Sequence, residues 1–472
     1  MGENISVRKA TAVNASGKYL KVILTISVNA VLARILTPYD FGIVAVITVF
    51  STFFSTLSDV GLGPAIIQKK ELTRDGIDSL FTYSLYLSIA LSLIFLCCAF
   101  PIAAFYKDAV YLKPTFLLTL SLFFNALNMV PNGILNRDKK FGTIAVRTVA
   151  VYAVSAAVAI YLALHGWRFY ALVVQAILSS LLQFLWNYLS TSPRILKHPD
   201  RGAIHLVKSY SGYQFAFNVV NYFARNLDNL LTGKFMGEVN LGNYNKAYNL
   251  MLFPVNNLSG VVSPVLHPIL SDYQDQPRAI YDRYMKLVRF LFCLGIFIAA
   301  FSWLAADEII GILYGSQWAP CVECFRLLSI AIIPQMINAS AGAIFQALGN
   351  TRLLFVSTCI NTSVTLAAIL AGIFCFGNIE ALSLCVALSY LFHFLCAFWI
   401  LVRKGFGYGL LPFVKALAPE IIMTAIMIAV IAVWPFNIGN ILWSFAAKLA
   451  YVAATFALMM LVSREYRLFR LK

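Results

Sequence analysis

Charge is what this sequence has least of. Only 12% of its 472 residues are Asp, Glu, Lys or Arg, and just 20 are acidic. A soluble domain carries about a quarter charged residues, so this chain cannot cover a water-facing surface. That excludes a soluble enzyme and a disordered chain. No G-x-x-x-x-G-K-[ST] loop occurs, so no nucleotide-driven step is encoded. The 9 cysteines are odd in number, and most lie inside apolar runs, which excludes a secreted disulfide scaffold. Cys321 and Cys324 form a C-x-x-C, but with no second pair and no nearby histidine. They read as small core hydrophobes rather than metal ligands. The opening MGENISVRKA has no cleavable small-residue site after a short apolar core, so no signal peptide is expected.

What is abundant is apolar sequence, 60% of the chain. About 20 apolar residues cross roughly 30 Å of hydrocarbon. About fourteen such runs can be read, centred near Ser27, Phe50, Ile94, Phe123, Ala156, Leu178, Val220, Pro254, Leu294, Pro334, Val364, Cys385, Ala425 and Tyr451. Backbone groups in lipid must pair internally, and no period-2 barrel pattern competes, so the runs predict helices. The fold class is an all-α polytopic membrane protein.

The net charge of +16 does not point to nucleic acid, because the basic residues sit between apolar runs rather than on one polar face. Their placement follows the positive-inside rule. With the N-terminus inside, Arg8/Lys9, Lys69/Lys70/Arg74, Arg137/Lys139/Lys140, Arg194/Lys197, Arg278/Arg283/Lys286/Arg289, Arg403/Lys404 and Arg464/Arg467 all fall on the cytoplasmic side. The outer loops hold only Lys107, Lys113, Arg168 and Lys234. Both termini are therefore expected in the cytoplasm.

Two segments are similar at an offset of two hundred residues. LARILTPYDFGIVA around Arg34 aligns with LTGKFMGEVNLGNYNKA around Lys234, matching Arg34 to Lys234, Asp40 to Asn240 and Gly42 to Gly242; Pro64 matches Pro264. The repeat unit is about six helices. The expected organisation is one six-helix lobe over residues 1–208, a second over 209–404, and an extra helix pair over 405–472. Transporter sites lie between such repeats.

Polar residues concentrate on the first two helices of each repeat. Gln214, Asn218, Asn221, Arg225, Asp228 and Thr232 recur every three to four residues, as do Lys246, Asn249, Asn256 and Ser263. That spacing puts them on one helix face. Lys18, Lys21, Thr25 and Asn29 mark the first span, and Thr48, Ser51, Thr52 and Ser55 the second. A charge at mid-membrane costs roughly 2.5–3.5 kcal/mol, so a water-filled cavity between the lobes is the cheaper setting. Two readings stand. The residues can line such a cavity, or act as glue between helices. Arg225 and Asp228, three apart, can also pair with each other, and Arg34 can snorkel to the interface. The candidate substrate residues are Arg34, Asn218, Asn221, Arg225, Asp228, Lys246 and Asn249. Asp59, at a helix end, is a candidate for ion coupling. Glu420, Lys415 and His393 receive no role. Guanidinium and ammonium groups suit phosphate, and amides suit sugar hydroxyls, so a phosphate-linked glycan is the cargo that chemistry suggests.

LARILTPYDFGIVAVITVFSTFFSTLSDVGLGPAIIQKKELT from Leu32, LNRDKKFGTIA from Leu135 and ILYGSQWAPCVECFRLLSIAIIPQ from Ile312 resemble Wzx-type polysaccharide transporters. These lie within the multidrug/oligosaccharidyl-lipid/polysaccharide (MOP) exporter superfamily. The resemblance implies two six-helix lobes, alternating access, and flipping of an undecaprenyl-diphosphate-linked oligosaccharide to the outer leaflet of a bacterial inner membrane. The product would serve O-antigen, capsule or exopolysaccharide synthesis. Membrane lipids, a polysaccharide polymerase and chain-length machinery are the implied partners; no cofactor, metal, nucleic acid or enzymatic step is implied. The rival readings are a drug exporter of the same superfamily, which needs an embedded carboxylate cluster, and a membrane enzyme of glycan assembly, which needs a positioned base.

Overall fold

The computed structural model describes residues 7–58, 62–69, 71–200, 202, 222, 226–271, 277–348, 350–434 and 438–469. It divides into two compact units, Met1–Gly242 and Asn243–Lys472. Among the described residues every regular element is helical.

Unit 1 contains α1 (Val7–Ile35), α2 (Pro38–Ser58), α3 (Leu62–Gln68), α4 (Arg74–Tyr106), α5 (Leu112–Leu127), α6 (Met129–Arg137), α7 (Phe141–Leu164) and α8 (Tyr170–Thr191). A helix over 226–236, here α9, and the first residues of α10 (Glu238–Ser271) complete it. The start of α2 shows how sequence sets a boundary. Thr37 precedes Pro38, and the Asp40 carboxylate accepts from the Thr37 backbone N–H at 3.0 Å and its hydroxyl at 2.7 Å. This is a capping box with proline at the first helical position. The inner face of α2 places Ile43, Val46, Ile47 and Phe54 in a core with Leu91, Phe95 and Ile102 of α4, Leu118 and Leu122 of α5 and Val173 of α8. Leu32 of α1 and Leu36 just after it pack with Ala159 and Ala163 of α7.

After α8 the chain runs along the start of α4 as a strap. The backbone N–H of Arg194 donates to Asp78 at 3.0 Å, that of Leu196 to the Thr82 hydroxyl at 2.9 Å, and that of Asp200 to the Ser79 hydroxyl at 2.9 Å. Asp78, Ser79 and Thr82 are buried by this segment and their helix neighbours, and each gains a partner for a group that burial would otherwise penalise.

Gly42 and Gly242 are the most closely approached of the described glycines in unit 1. A Cβ on Gly42 would land on the Glu238 carbonyl oxygen, and one on Gly242 would land on that of Pro38. Both helix starts approach backbone to backbone, and only glycine permits it.

Unit 2 continues α10 and adds α11 (Pro277–Leu304), α12 (Ala306–Leu313), α13 (Ala319–Ser329), α14 (Ile332–Ala347), α15 (Thr351–Leu370), α16 (Ile379–Ile400), α17 (Leu410–Ala416), α18 (Ala418–Ala432) and α19 (Ile441–Ser463). Helix α11 is its centre, packing on α13, α14, α18 and α19. Asn378 caps α16 and Asn440 caps α19 through their side chains, the favoured N-cap chemistry. A π turn, Ala371–Phe376, ends at Gly377 with φ +70°.

Nine helices among the described residues are long and apolar enough to cross a bilayer. Two bent pairs, Ser316–Ser329 with Ile332–Phe345 at 56° and Leu410–Ala416 with Ala418–Ala432 at 53°, raise this to eleven. Helices α1 and α10 are as long but carry polar residues along their length; they are the expected first and eighth spans. The expected span near Val220 lies outside the described residues. Large apolar side chains stand exposed on regular helices, among them Phe100, Leu189 and Val462. In water such surfaces would drive association; in lipid they are the outer wall.

Candidate functional site

Each unit carries a polar helix face, and each is built differently. In unit 1, Lys18, Lys21 and Arg34 of α1 are exposed. Between them the Thr25 hydroxyl bonds the Lys21 carbonyl at 2.8 Å and the Asn29 amide bonds the Thr25 carbonyl at 2.9 Å. These side chains satisfy themselves on their own helix. On α2, Thr48, Thr52 and Thr56 are exposed at four-residue steps, on the side opposite the core residues Ile43, Val46 and Ile47. Tyr222 donates to the Val49 carbonyl at 2.5 Å.

In unit 2 the polar face spans three helices. On α10 the Asn249 amide donates to the Asn245 side chain at 2.8 Å. One residue earlier, the Tyr248 hydroxyl meets the Tyr390 hydroxyl of α16 at 2.5 Å. His393, three residues past Tyr390 on the same face of α16, lies with Nδ1 3.2 Å from the Asn338 amide of α14. The Asn338 carbonyl oxygen is buried with no partner among the described residues. Buried Tyr244 stacks on Tyr248 with ring centroids 5.8 Å apart. Amides and phenols both donate and accept, and the rings offer flat faces. Such groups can hydrogen-bond and stack against hydroxyl-rich rings.

The expected residues divide into three groups. Arg34 is exposed at the end of α1, and Asn249 is exposed on α10. Asp228 of α9 and Lys246 of α10 are buried. The Asp228 carboxylate accepts from the Asn229 backbone N–H at 2.8 Å. The Lys246 ammonium lies 5.1 Å from the Tyr314 ring centre and 5.7 Å from that of Trp318, a cation–π setting. Asn218, Asn221, Arg225 and Asp59 lie outside the described residues. Cys321 and Cys324 are free and buried.

No signal in the sequence marks Tyr390 or Asn338, and His393 reads there as isolated in an apolar span. Their partners come from helices distant in the chain. The same holds for a buried network in unit 1. The Arg147 guanidinium of α7 donates to Asn187 of α8 and, at 3.2 Å, to Asn132 of α6, while the Asn187 amide donates to Asn128 at 2.7 Å. Among the described residues no carboxylate pairs with Arg147.

Residues 31–323 match the sequence profile of a family described as polysaccharide biosynthesis protein. The chain belongs to that family. The lipopolysaccharide biosynthesis protein WzxC of Escherichia coli K12 is 23% identical to this polysaccharide biosynthesis protein over 387 residues, 78% of this chain and 76% of WzxC. In fold it matches the lipid II flippase MurJ in an inward closed conformation, with a TM-score of 0.74 at 12% identity over 96% of this chain and 99% of MurJ. An inward-facing multidrug resistance MATE transporter of the MOP superfamily superposes with a TM-score of 0.64 at 14% identity, over 80% of this chain and 93% of that one. The Wzx-type resemblance read from the sequence therefore holds. This chain is a multi-pass membrane protein of the polysaccharide biosynthesis family with the fold shared by MurJ and the MATE transporter.

Proposed function

We propose that this protein flips a polyprenyl-diphosphate-linked oligosaccharide from the inner to the outer leaflet of a bacterial inner membrane by alternating access, with both termini in the cytoplasm. The observation that carries the reading is the face made by Asn249, Tyr248, Tyr390, His393 and Asn338. Tyr248 pairs with Tyr390 and His393 with Asn338 across α10, α14 and α16, Asn249 stands exposed on α10, and the chemistry of these groups is that of sugar recognition.

In this reading the amides and phenols of unit 2 hold the glycan. Arg34, exposed at the end of α1, stays a candidate for the diphosphate, where a planar fork of donors fits phosphate oxygens. Lys246 meets the anion only by leaving the rings of Tyr314 and Trp318, so its contact depends on conformational state. Asp228 stays a candidate for substrate binding, as do Asn218, Asn221 and Arg225, which lie outside the described residues; Asp59, also outside them, stays one for the coupling ion. The prenyl chain stays in lipid. A polysaccharide polymerase and chain-length machinery would receive the product.

Leaflet-specific labelling of lipid-linked glycan, in membranes with and without the protein, tests the proposal. Label on the outer leaflet that depends on the protein supports it. Equal labelling of both leaflets without the protein overturns it, as does accumulation of a drug rather than of inner-leaflet glycan when the gene is deleted.

A further inference from the structure

Glu420 received no role from the sequence, yet the structure places it in a charged cluster that does not balance. Arg289 of α11 reaches two carboxylates. Its Nε lies 2.8 Å from Glu420 Oε1 on α18, and its Nη2 lies 2.5 Å from Glu465 Oε1 in the short turn Glu465–Phe469 that follows α19. Glu420 is 0% exposed and Glu465 7%. The second oxygen of Glu420 is buried with no partner among the described residues.

Counting charge gives two anions against one cation. Among the described residues no second cation pairs with either carboxylate. Lys415, Arg464 and Arg467 on the neighbouring turns are exposed, and Tyr466 adds no positive charge. Cys293, one turn along α11, is the remaining titratable group acting on the cluster, and a thiol cannot neutralise an anion. The helix start beneath Glu420 contributes only about half a charge. A buried excess charge is costly, and the cheapest neutraliser that fits beside a bare carboxylate oxygen is a proton.

We propose that Glu420 and Glu465, bridged by Arg289, form a binding site for one proton. Bound, the proton makes the cluster neutral: one carboxylic acid, one carboxylate and one guanidinium. Released, it leaves a net negative charge. The two carboxyls titrate as a pair, and the proton belongs to the pair rather than to one residue. Access to water runs past Arg289 and Glu465, whose side chains are 27% and 9% exposed. Burial pushes the Glu465 carboxyl above the ordinary glutamate value; Arg289 pulls it down and Glu420 pushes it up again. The site needs no reading of the cargo.

The test is infrared spectroscopy of the full-length protein in lipid nanodiscs, titrated with pH. The carbonyl stretch of a protonated carboxylic acid is distinct from carboxylate bands. The wild type is expected to show such a band titrating at least one pH unit above ordinary glutamate, about 4.3, a tenfold or greater gain in proton affinity. In Glu465→Gln and in Glu420→Gln the remaining carboxylate faces Arg289 as a balanced pair, so that component disappears. A wild-type band confined to the ordinary glutamate range overturns the proposal, as does a raised band that survives both substitutions. Should Glu420→Gln not fold, the wild type and Glu465→Gln decide the question alone.

Discussion

Gly42 and Gly242 make reciprocal contacts: each lies against the backbone carbonyl of the residue four positions before the other. Residue 42 meets Glu238, and residue 242 meets Pro38. Positions 38 and 238 share the offset that relates the two glycines, so the contact pattern is that of a local two-fold, as in an isologous interface. The offset was visible in the sequence; the reciprocity was not.

Adding a methyl at either glycine drives it into a carbonyl that cannot move without its helix. Gly42→Ala and Gly242→Ala are each expected to destabilise by about 1–3 kcal/mol. Both substitutions push the same two helix starts apart, so the double variant should lose less than the sum. Thermal unfolding of the three variants in detergent measures this, and strict additivity would contradict the shared contact.

Arg147 is expected to be irreplaceable by lysine. Its Nη1 donates to both Asn187 and Asn132 while its Nη2 lies 3.5 Å from the Thr148 hydroxyl, and the shorter lysine side chain, with one nitrogen, cannot fill both positions. Arg147→Lys and Arg147→Ala should both lower the unfolding temperature, each leaving buried amides unsatisfied at a cost of about 1–3 kcal/mol per group. Equal stability of Arg147→Lys and wild type would show that the fork is not needed.

Glu308 of α12 fastens α19, accepting from Ser444 at 2.6 Å and from Lys448 at 2.8 Å. Burial pushes its carboxyl up, but the hydrogen bonds from Lys448 and Ser444 outweigh burial and hold it below the ordinary value. The anion is the bonded form. Its stabilisation is therefore full above the unfolded-state value, about 4.3, and is lost as pH falls through the lower folded value. Melting curves taken downward from neutral pH should show an acid-dependent loss in wild type that is missing in Glu308→Gln, which starts less stable.

Removing the hydroxyl from Tyr248 or Tyr390 leaves the rings in place and breaks their 2.5 Å contact. Tyr248→Phe and Tyr390→Phe are expected to keep protein levels and to lower outer-leaflet glycan several-fold. If the hydroxyls act as one unit, the double variant should be no worse than either single one. Wild-type labelling in all three would remove this pair from cargo binding.

Much of the architecture was legible because bilayer crossing is a local property. A run of about twenty apolar residues is enough to specify a span. The polar stripe of α10 was legible from its spacing, but its interior was not: Lys246 and Asn249 share a stripe in sequence, and the fold buries one while exposing the other. Nothing in the spacing says that Tyr314 and Trp318 stand over that ammonium.

By itself, the sequence determined that this chain lives in a membrane, which helices are polar, and that the chain repeats. Composition, period and offset depend only on residues near one another or on a fixed shift. Tertiary structure alone decided which charges meet. Arg289 takes Glu420 and Glu465 from 131 and 176 residues away, and Tyr390, His393 and Asn338 become one surface only when α10, α14 and α16 pack. A hydrogen bond depends on distance in space, and distance along the chain carries no record of it.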